Sequence, residues 1–578
     1  MERTYSSALI LGYERMSAWS DLLDQINVFP VADADTGRNL KISLAPLRRL
    51  DDNPHTVPQH LIRAATGNSG NIAAGFFSEL LGVRAPGQLP EAIRTGLSKA
   101  QQAVSDPKPG TMLTVFEALA QAAPPAHLPP ADWDLETIMR RLEKTVADTS
   151  EILPELKQAG VVDSGALGMF IFLEAFLCGL AGRHGESRPV TEIFRGKLKI
   201  AAGWNAPDDE NDYCVSAMVR PEGSPEEARR RLADCGQSVV VTENDDLLKV
   251  HLHTDDRRGL QSHLADIGQV VGWSEEKIDI APLKVPQTAA ALHIMTDAAG
   301  SITVEDAREL GITLLNSYLV VGEQVCPETL YAPGQLYTAM RAGTRVSTAQ
   351  ASMFERHQCY LSAISRFERV LYLCVGSVYT GNFETAAAWK TQNDPEQRLT
   401  IIDTGAASGR LGIVALAAAH YARRTVDPEA VVRFAREAVA HSDELVFLDQ
   451  LKFLAAGGRI SKTKGFLGDL LHKKPIITPT AHGAAKVGIV RNRAEQLAFA
   501  RDRLQKSFDK AAAAFIMLQY SDNREWVEQT AAAQIREMLP AARIVFRPLS
   551  LTSGAHMGPG TWAAAYLPAA FNPYRELT

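Results

Sequence analysis

Cysteine is scarce in this chain and follows no pairing pattern. The six copies, at Cys178, Cys214, Cys235, Cys326, Cys359 and Cys374, include no C-x-x-C unit, so the expectation is reduced thiols in a cytoplasmic protein. A basic excess is missing as well. Lys and Arg number 60 against 67 Asp and Glu, a net charge of −7, which argues against nucleic acid as the main partner because neutralising phosphates needs a basic surface. Long apolar runs are absent too: no segment reaches the roughly 18 uncharged apolar residues of a membrane span. The nearest, Gly165 to Gly182, is interrupted by Glu174 and reads as a buried core helix. No transmembrane segment is expected, and only transient contact with a membrane surface stays open. The opening MERTYSSALILGYERMSAW has no basic stretch ahead of a clean apolar core, so a secretory signal is not expected. A length of 578 residues, at roughly 100–200 residues per domain, implies several units rather than one core.

What is present begins with NVFPVADADTGRNL, Asn27 to Leu40. Alternating carboxylates, Asp33 and Asp35, can both face a hard cation, and Mg²⁺ takes oxygen ligands that substrate phosphates complete. With Asn39 following, the segment reads as a metal-phosphate site, a solvated acidic turn being the competing reading. In ATGNSGNIAAGFF, the residues Gly67, Asn68, Ser69 and Gly70 precede a helical run; small residues let backbone N–H groups approach anionic oxygens, and a helix start adds a favourable dipole. PKPGTMLTVFEAL places Gly110 and Thr111 at the opening of an apolar helix, and VVDSG places Asp163, Ser164 and Gly165 before another. Each alone is a turn or a helix cap. Together, in this order, they are far more specific.

These blocks resemble those of the DhaL-type nucleotide-binding domain of bacterial fatty acid kinases, relatives of the dihydroxyacetone kinases, over residues 1 to about 195. The resemblance implies an all-α helical barrel whose loops hold ATP and Mg²⁺, with Asp33 and Asp35 as metal ligands and Asn27 beside them. It also implies phosphate contacts from Thr36, Asn39, Asn68 and Ser69, with Gly67, Gly70, Thr111, Met112, Asp163 and Gly165 in the nucleotide site. Two positions depart from the family: Ala34 stands where Gly is usual between the aspartates, and Arg38 replaces a small residue.

After about Lys197 the pattern changes to short alternating strands, DYCVSAMVR and SVVVTENDDLLKVHLHT, around the charged helix PEEARRRLADCG, which predicts a small α+β domain over 196–288. In LLKVHLHT, period-two alternation puts Lys249, His251 and His253 on one face and Leu248, Val250 and Leu252 on the other. Two imidazoles on one face, with Cys214 on the preceding strand, form a candidate zinc set; surface histidines are the competing reading. Fatty acid kinases have a similar middle domain, and the resemblance implies zinc on Cys214, His251 and His253.

From about Ala290, apolar strands alternate with helices, as in ALHIMTDAA, RVLYLCVGS, LTIIDTG and AAFIMLQY, predicting α/β layers. HIMTDAAGSIT, STAQAS, VGSVYTGNFETA, AAGGRISK and AHMGPGTW resemble motifs of the DegV family, whose members hold a fatty acid between two lobes, and the match runs over 289–578. Carried over by residue, Thr348 and Ser377 would donate to the lipid carboxylate, while Arg459 and His556 would hold the head group or the phosphate of its product; Arg forms two parallel hydrogen bonds to such a group. Gly376 and Asn382 depart from the family pattern.

Taken together, the chain reads as a multi-domain fatty acid kinase with its lipid carrier fused to it, transferring the ATP γ-phosphoryl group to a bound carboxylate through Asp33, Asp35, Arg459 and His556. ATP and Mg²⁺ are the expected cofactors, Zn²⁺ a candidate third, a homodimer the expected assembly, and an acyltransferase the candidate downstream partner. Two competing readings are a non-catalytic lipid-binding protein with a decayed nucleotide domain, suggested by Ala34 and Arg38, and a polyol kinase.

Overall fold

The computed structural model describes residues 2–52, 54–183, 187–205, 213–244, 246–278, 290–456 and 473–575. The chain divides into two compact units, Met1–Lys284 and Val285–Thr578.

The first unit opens with a helical region built around the helix Ser164–Leu180. Its sequence is apolar on every face, and a helix of that kind has to be covered on every side; all of it but Cys178 and Leu180 is buried. Phe172 fills the space over Gly12, where a Cβ would come within 2.7 Å of the ring. Phe77 leans on Phe172 with centroids 4.2 Å apart, and Phe76 stacks on Phe116 at 3.8 Å. Glu174, the charge that interrupts the apolar run, is buried and meets Arg15 of the helix Glu2–Ala18 at 2.5 Å. Losing either partner would strand a charge in the core, which is the costly way to break such a pair. The Pro-rich stretch 123–133 holds only the short 3₁₀ turn Pro130–Asp132, since Pro lacks the donor that a helix interior needs.

A four-stranded antiparallel sheet follows in the same unit, in the order Gln237–Asn244, Leu247–Thr254, Tyr213–Pro221, Gly268–Lys277. The helices Pro225–Ala233 and Arg257–Ile267 accompany it. SVVVTENDDLLKVHLHT forms two of these strands. The edge strand Gly268–Lys277 is not foreseen from the sequence because it is exposed at most positions and so carries little alternation. Leu248, Val250 and Leu252 enter the apolar core of this sheet with Val215, Leu232 and Leu264. On the other face, the Lys249 ammonium donates to the carbonyls of Ile62 (3.2 Å), Arg63 (3.0 Å) and Ala65. It thereby caps the C-terminal end of the helix Val57–Ala64, directly ahead of the Gly67–Ser69 turn.

In the second unit, the strands Leu399–Asp403, Val370–Cys374, His293–Asp297 and Ile312–Leu315 form a parallel sheet in that order. A six-stranded mixed sheet runs Gly483–Val490, Lys474–Thr480, Asp443–Phe447, Trp562–Leu567, Phe515–Tyr520, Arg543–Pro548. AAFIMLQY, expected as one of the α/β strands, belongs to this second sheet. The Ala-rich helix Ser408–Ala422 shares one core with Leu371, Leu373 and Ile402 of the first sheet and Phe515, Met517 and Ala565 of the second. Its small side chains permit close approach: a Cβ on Gly412 would fall 1.8 Å from the Gly300 carbonyl. A three-stranded antiparallel sheet, Gln324–Pro327, Tyr318–Val321, Val346–Ala349, completes the unit. No described helix is long and apolar enough to cross a membrane.

Candidate functional site

A cavity of about 320 Å³ opens in the first unit. Asn27, Asp33, Asp35, Thr36 and Asn39 line one side, and Gly67, Asn68, Ser69, Thr111, Met112, Asp163 and Gly165 line the others. All of the nucleotide residues expected from the sequence face it except Gly70, which packs instead against Ser43, whose Oγ lies 2.0 Å from where a Cβ would sit. Small side chains shape the wall for the same reason elsewhere. Gly67 adopts φ +63°, and a Cβ there would strike Asn39 Nδ2 at 2.0 Å.

The carboxylate turn is held by a short polar network. Asn27 Nδ2 donates to Asp33 Oδ1 (3.0 Å) and to the Val31 carbonyl (2.8 Å). Its Oδ1 accepts from Thr36 Oγ1 and from Ser164 Oγ, the latter at 3.1 Å. Asn27 was expected among the Mg²⁺ ligands; the structure has it orient Asp33 through its amide nitrogen, its oxygen being taken by two hydroxyls. Ser164, not among the expected site residues, ties Asn27 to Thr36 across the chain. Its signal was present in the VVDSG block, where it reads as a helix cap. Between the aspartates, Ala34 sits at φ +56°, the left-handed region that glycine enters without strain. The turn therefore keeps its shape despite the missing glycine. Arg38, the second departure, donates through its backbone N–H to Asp24 and meets Glu276 of the sheet at 3.4 Å.

Burial and then the neighbouring Asp35 carboxylate push the Asp33 carboxyl well above the usual carboxylate range. Two carboxylates in contact in a half-buried turn need a shared proton or a cation, so the donor set fits a hard divalent ion. Asn68 Oδ1 is buried and has no hydrogen-bond partner among the described residues, as expected for an atom that meets a ligand. Asp163 caps the helix Ser164–Leu180 by accepting from Ala166 N at 2.7 Å; burial raises its pKa to about 7 against these N–H groups.

The sheet supplies the remaining wall. Ser238, Val239 and Val240 line the cavity, as do His251 and His253. The antiparallel register sets Cys214 opposite His253 and Ser216 opposite His251. One ligand atom from each of Cys214, His251 and His253 lies within 4.8 Å of the others, with Cys214 Sγ 3.7 Å from His251 Nε2. Ser216 Oγ stands 2.9 Å from His251 Nδ1, a partner not foreseen from the sequence. Burial drives His251 to about 3, which keeps its ring neutral and able to ligate. The Cys214 thiol is raised to about 12 by burial and then by Asp35 and Asp33, so its thiolate depends on a cation. Three soft donors with room for a fourth ligand fit zinc.

In the second unit, Thr348 Oγ1 and His556 Nε2 are 3.2 Å apart. Thr348 lies on the strand Val346–Ala349 and His556 on the helix Leu551–Met557. Ser377 has another partner: its hydroxyl donates to Asp403 Oδ2 at 2.6 Å and its N–H to Oδ1 at 3.0 Å. Its proton is thus taken by a carboxylate, which lies where the expected lipid contact from Ser377 would compete. Asn382, one of the family departures, donates to the buried Asp297 at 2.8 Å, alongside Tyr372 and the Val375 N–H. Arg459 lies outside the described residues, as does most of the GGRISK block.

Comparison with known proteins agrees with this order of parts. Residues 30–178 match the DAK2 domain, 210–280 the FakA-like middle domain of fatty acid kinases, and 291–569 the "Uncharacterised protein, DegV family". An uncharacterized protein of Staphylococcus epidermidis is 30% identical over 280 residues, 44% of this chain and 50% of that protein. Protein YloV of Bacillus subtilis is 28% identical over 299 residues, 46% of this chain and 54% of YloV. The chain thus spans about half the length of these relatives. Among solved structures, DegV, a fatty acid binding protein from Bacillus subtilis, is similar with a TM-score of 0.44 at 19% identity, over 48% of this chain and 100% of that one. A DegV family protein from Thermus thermophilus gives 0.44 at 22%, over 48% of this chain and 99% of that one. The chain carries, in this order, a DAK2 domain, a FakA-like fatty acid kinase middle domain and a DegV family segment.

Proposed function

We propose that the protein is an ATP-dependent kinase acting on the carboxylate of a fatty acid bound to its own DegV segment. The observation that carries this reading is the pairing, in one chain, of a DAK2-type cavity lined by two contacting carboxylates with a DegV segment presenting Thr348 and His556. Residues 1–195 would hold the nucleotide, 196–288 close the cavity, and 289–578 hold the lipid. Asp33 and Asp35 would hold Mg²⁺, which neutralises phosphate charge when bound. Thr36, Asn39 and the Gly67–Ser69 turn would orient the phosphates, since phosphoryl transfer is mainly positioning and charge stabilisation. The acceptor needs no general base, because a carboxylate is ionised at neutral pH. Thr348 and His556 would hold its oxygens, a buried carboxylate being costly without donors. Cys214, His251 and His253 would hold zinc in the cavity wall. The product, a mixed anhydride, would suit a downstream acyltransferase.

Hydroxylamine converts an acyl phosphate to a hydroxamate, so the test is hydroxamate formed from ATP, Mg²⁺ and oleate. Asp33→Asn and Asp35→Asn should each lower its rate by about 100-fold or more, the scale of losing a charge-stabilising group, while oleate binding is retained. Wild-type protein that hydrolyses no ATP in response to oleate would remove the kinase reading. The lipid-binding alternative, suggested by Ala34, would then stand, although Ala34 keeps the turn in its left-handed shape.

A further inference from the structure

The pairing of Thr348 with His556 joins two elements far apart in sequence, a strand and a helix, and a third residue fastens both. Glu328 is 2% exposed. Its Oε2 accepts from Thr552 N at 3.0 Å and its Oε1 from Ser317 N at 3.4 Å, and its own N–H donates to the Ser317 carbonyl at 2.9 Å. Thr552 lies in the first turn of the helix Leu551–Met557, one turn ahead of His556. Ser317 leads straight into the strand Tyr318–Val321, where Leu319 stands directly opposite Thr348 in the antiparallel register. The turn that carries Glu328 is itself fastened, because Asn316 Oδ1 accepts from both Thr329 N (3.1 Å) and Thr329 Oγ1 (2.8 Å).

We propose that Glu328 is the positioning residue of the lipid head-group site: one buried carboxylate sets the strand bearing Thr348 and the helix bearing His556 at the separation a carboxylate ligand requires. This rests on the reading of Thr348 and His556 as head-group donors. A buried carboxylate is an expensive way to join two backbone N–H groups, and a neutral amide cannot replace it, since glutamine offers one acceptor oxygen where two N–H groups point. Misplacing one donor by a fraction of an ångström weakens engagement of a charged head while leaving the acyl chain's apolar contacts in place.

The test compares oleate with oleyl alcohol, which share the chain and differ in the head, by displacement of a fluorescent fatty acid from the full-length protein. Glu328→Gln should weaken oleate by about tenfold, the value of one charged hydrogen bond, and leave oleyl alcohol unchanged. Thr552→Pro removes the same N–H at a first-turn position that tolerates proline and should give the same loss, so the comparison survives if Glu328→Gln does not fold. Unchanged oleate affinity in either variant, or an equal fall for both ligands, overturns the assignment. Wild-type protein that binds oleate no better than oleyl alcohol sinks the head-group reading itself and this inference with it.

Discussion

Ala34 shows what a single residue can reveal at a turn. A methyl group in the left-handed region costs about 1–2 kcal/mol relative to a compatible conformation, yet Ala34 holds φ +56° between two aspartates. The surrounding contacts, Asn27 to Asp33 and Thr36 to Asn27, over-determine the turn. Ala34→Gly should therefore raise stability by about 0.5–1 kcal/mol, the strain relieved less the larger chain entropy of glycine, without lowering the hydroxamate rate. Urea unfolding beside a rate assay measures both, and a destabilised variant would show that the Ala34 methyl is needed for packing. At this scale Asp33, Asp35, Thr36 and Asn39 were legible because their types suit metal and phosphate chemistry. Ser164 was not, because a serine before an apolar helix reads as a cap.

Among elements, the buried start of the helix Ser408–Ala422 is the most exposed to pH. Glu444 accepts from Gly409 N and Arg410 N at 3.1 Å each and from Gln519 Nε2 at 2.7 Å, and Gln519 Oε1 accepts in turn from Ser301 and Ser408. Burial nonetheless raises its pKa from 4.5 to about 7. The folded state thus holds the proton more tightly than the unfolded chain. Its stabilising contribution is complete below about 4.5 and is lost as pH rises through about 7, a span worth about 3 kcal/mol. Glu328, raised to about 7 by the same cause, acts in the same direction. Glu444→Gln should lower stability at every pH and flatten the decline between about pH 5 and 7.5, seen in urea melts of the second unit's transition. An unaltered slope would assign the decline to other groups. Elements with strict alternation, such as Leu247–Thr254, show their faces in the sequence, since Leu248, Val250 and Leu252 do enter the core. The edge strand Gly268–Lys277 does not, because half-exposed strands carry no such pattern.

For the whole molecule, two units with separate cores predict separable unfolding. The Cys214, His251 and His253 cluster lies within the first unit and lines the same cavity as Asp33 through its histidines. Zinc bound there stabilises the folded form by mass action. Chelation with 1,10-phenanthroline should lower the melting temperature of the first unit by several degrees, on the order of a few kcal/mol, and leave the second unit unmoved. In Cys214→Ser the chelator should have no effect. Metal-free protein with an identical first transition would remove zinc from the account.

Composition, charge and motif order were sufficient to separate a helical region, a small sheet and an α/β segment, because hydrophobic periodicity and turn chemistry are local properties of the chain. Which groups meet was decided only by the tertiary structure. Ser377 lies on Asp403, Asn27 turns its amide nitrogen to Asp33, Lys249 caps a helix from another part of its unit, and Glu328 joins the Thr348 strand to the His556 helix. Such pairings depend on register and packing between segments distant in sequence, and no local pattern encodes them.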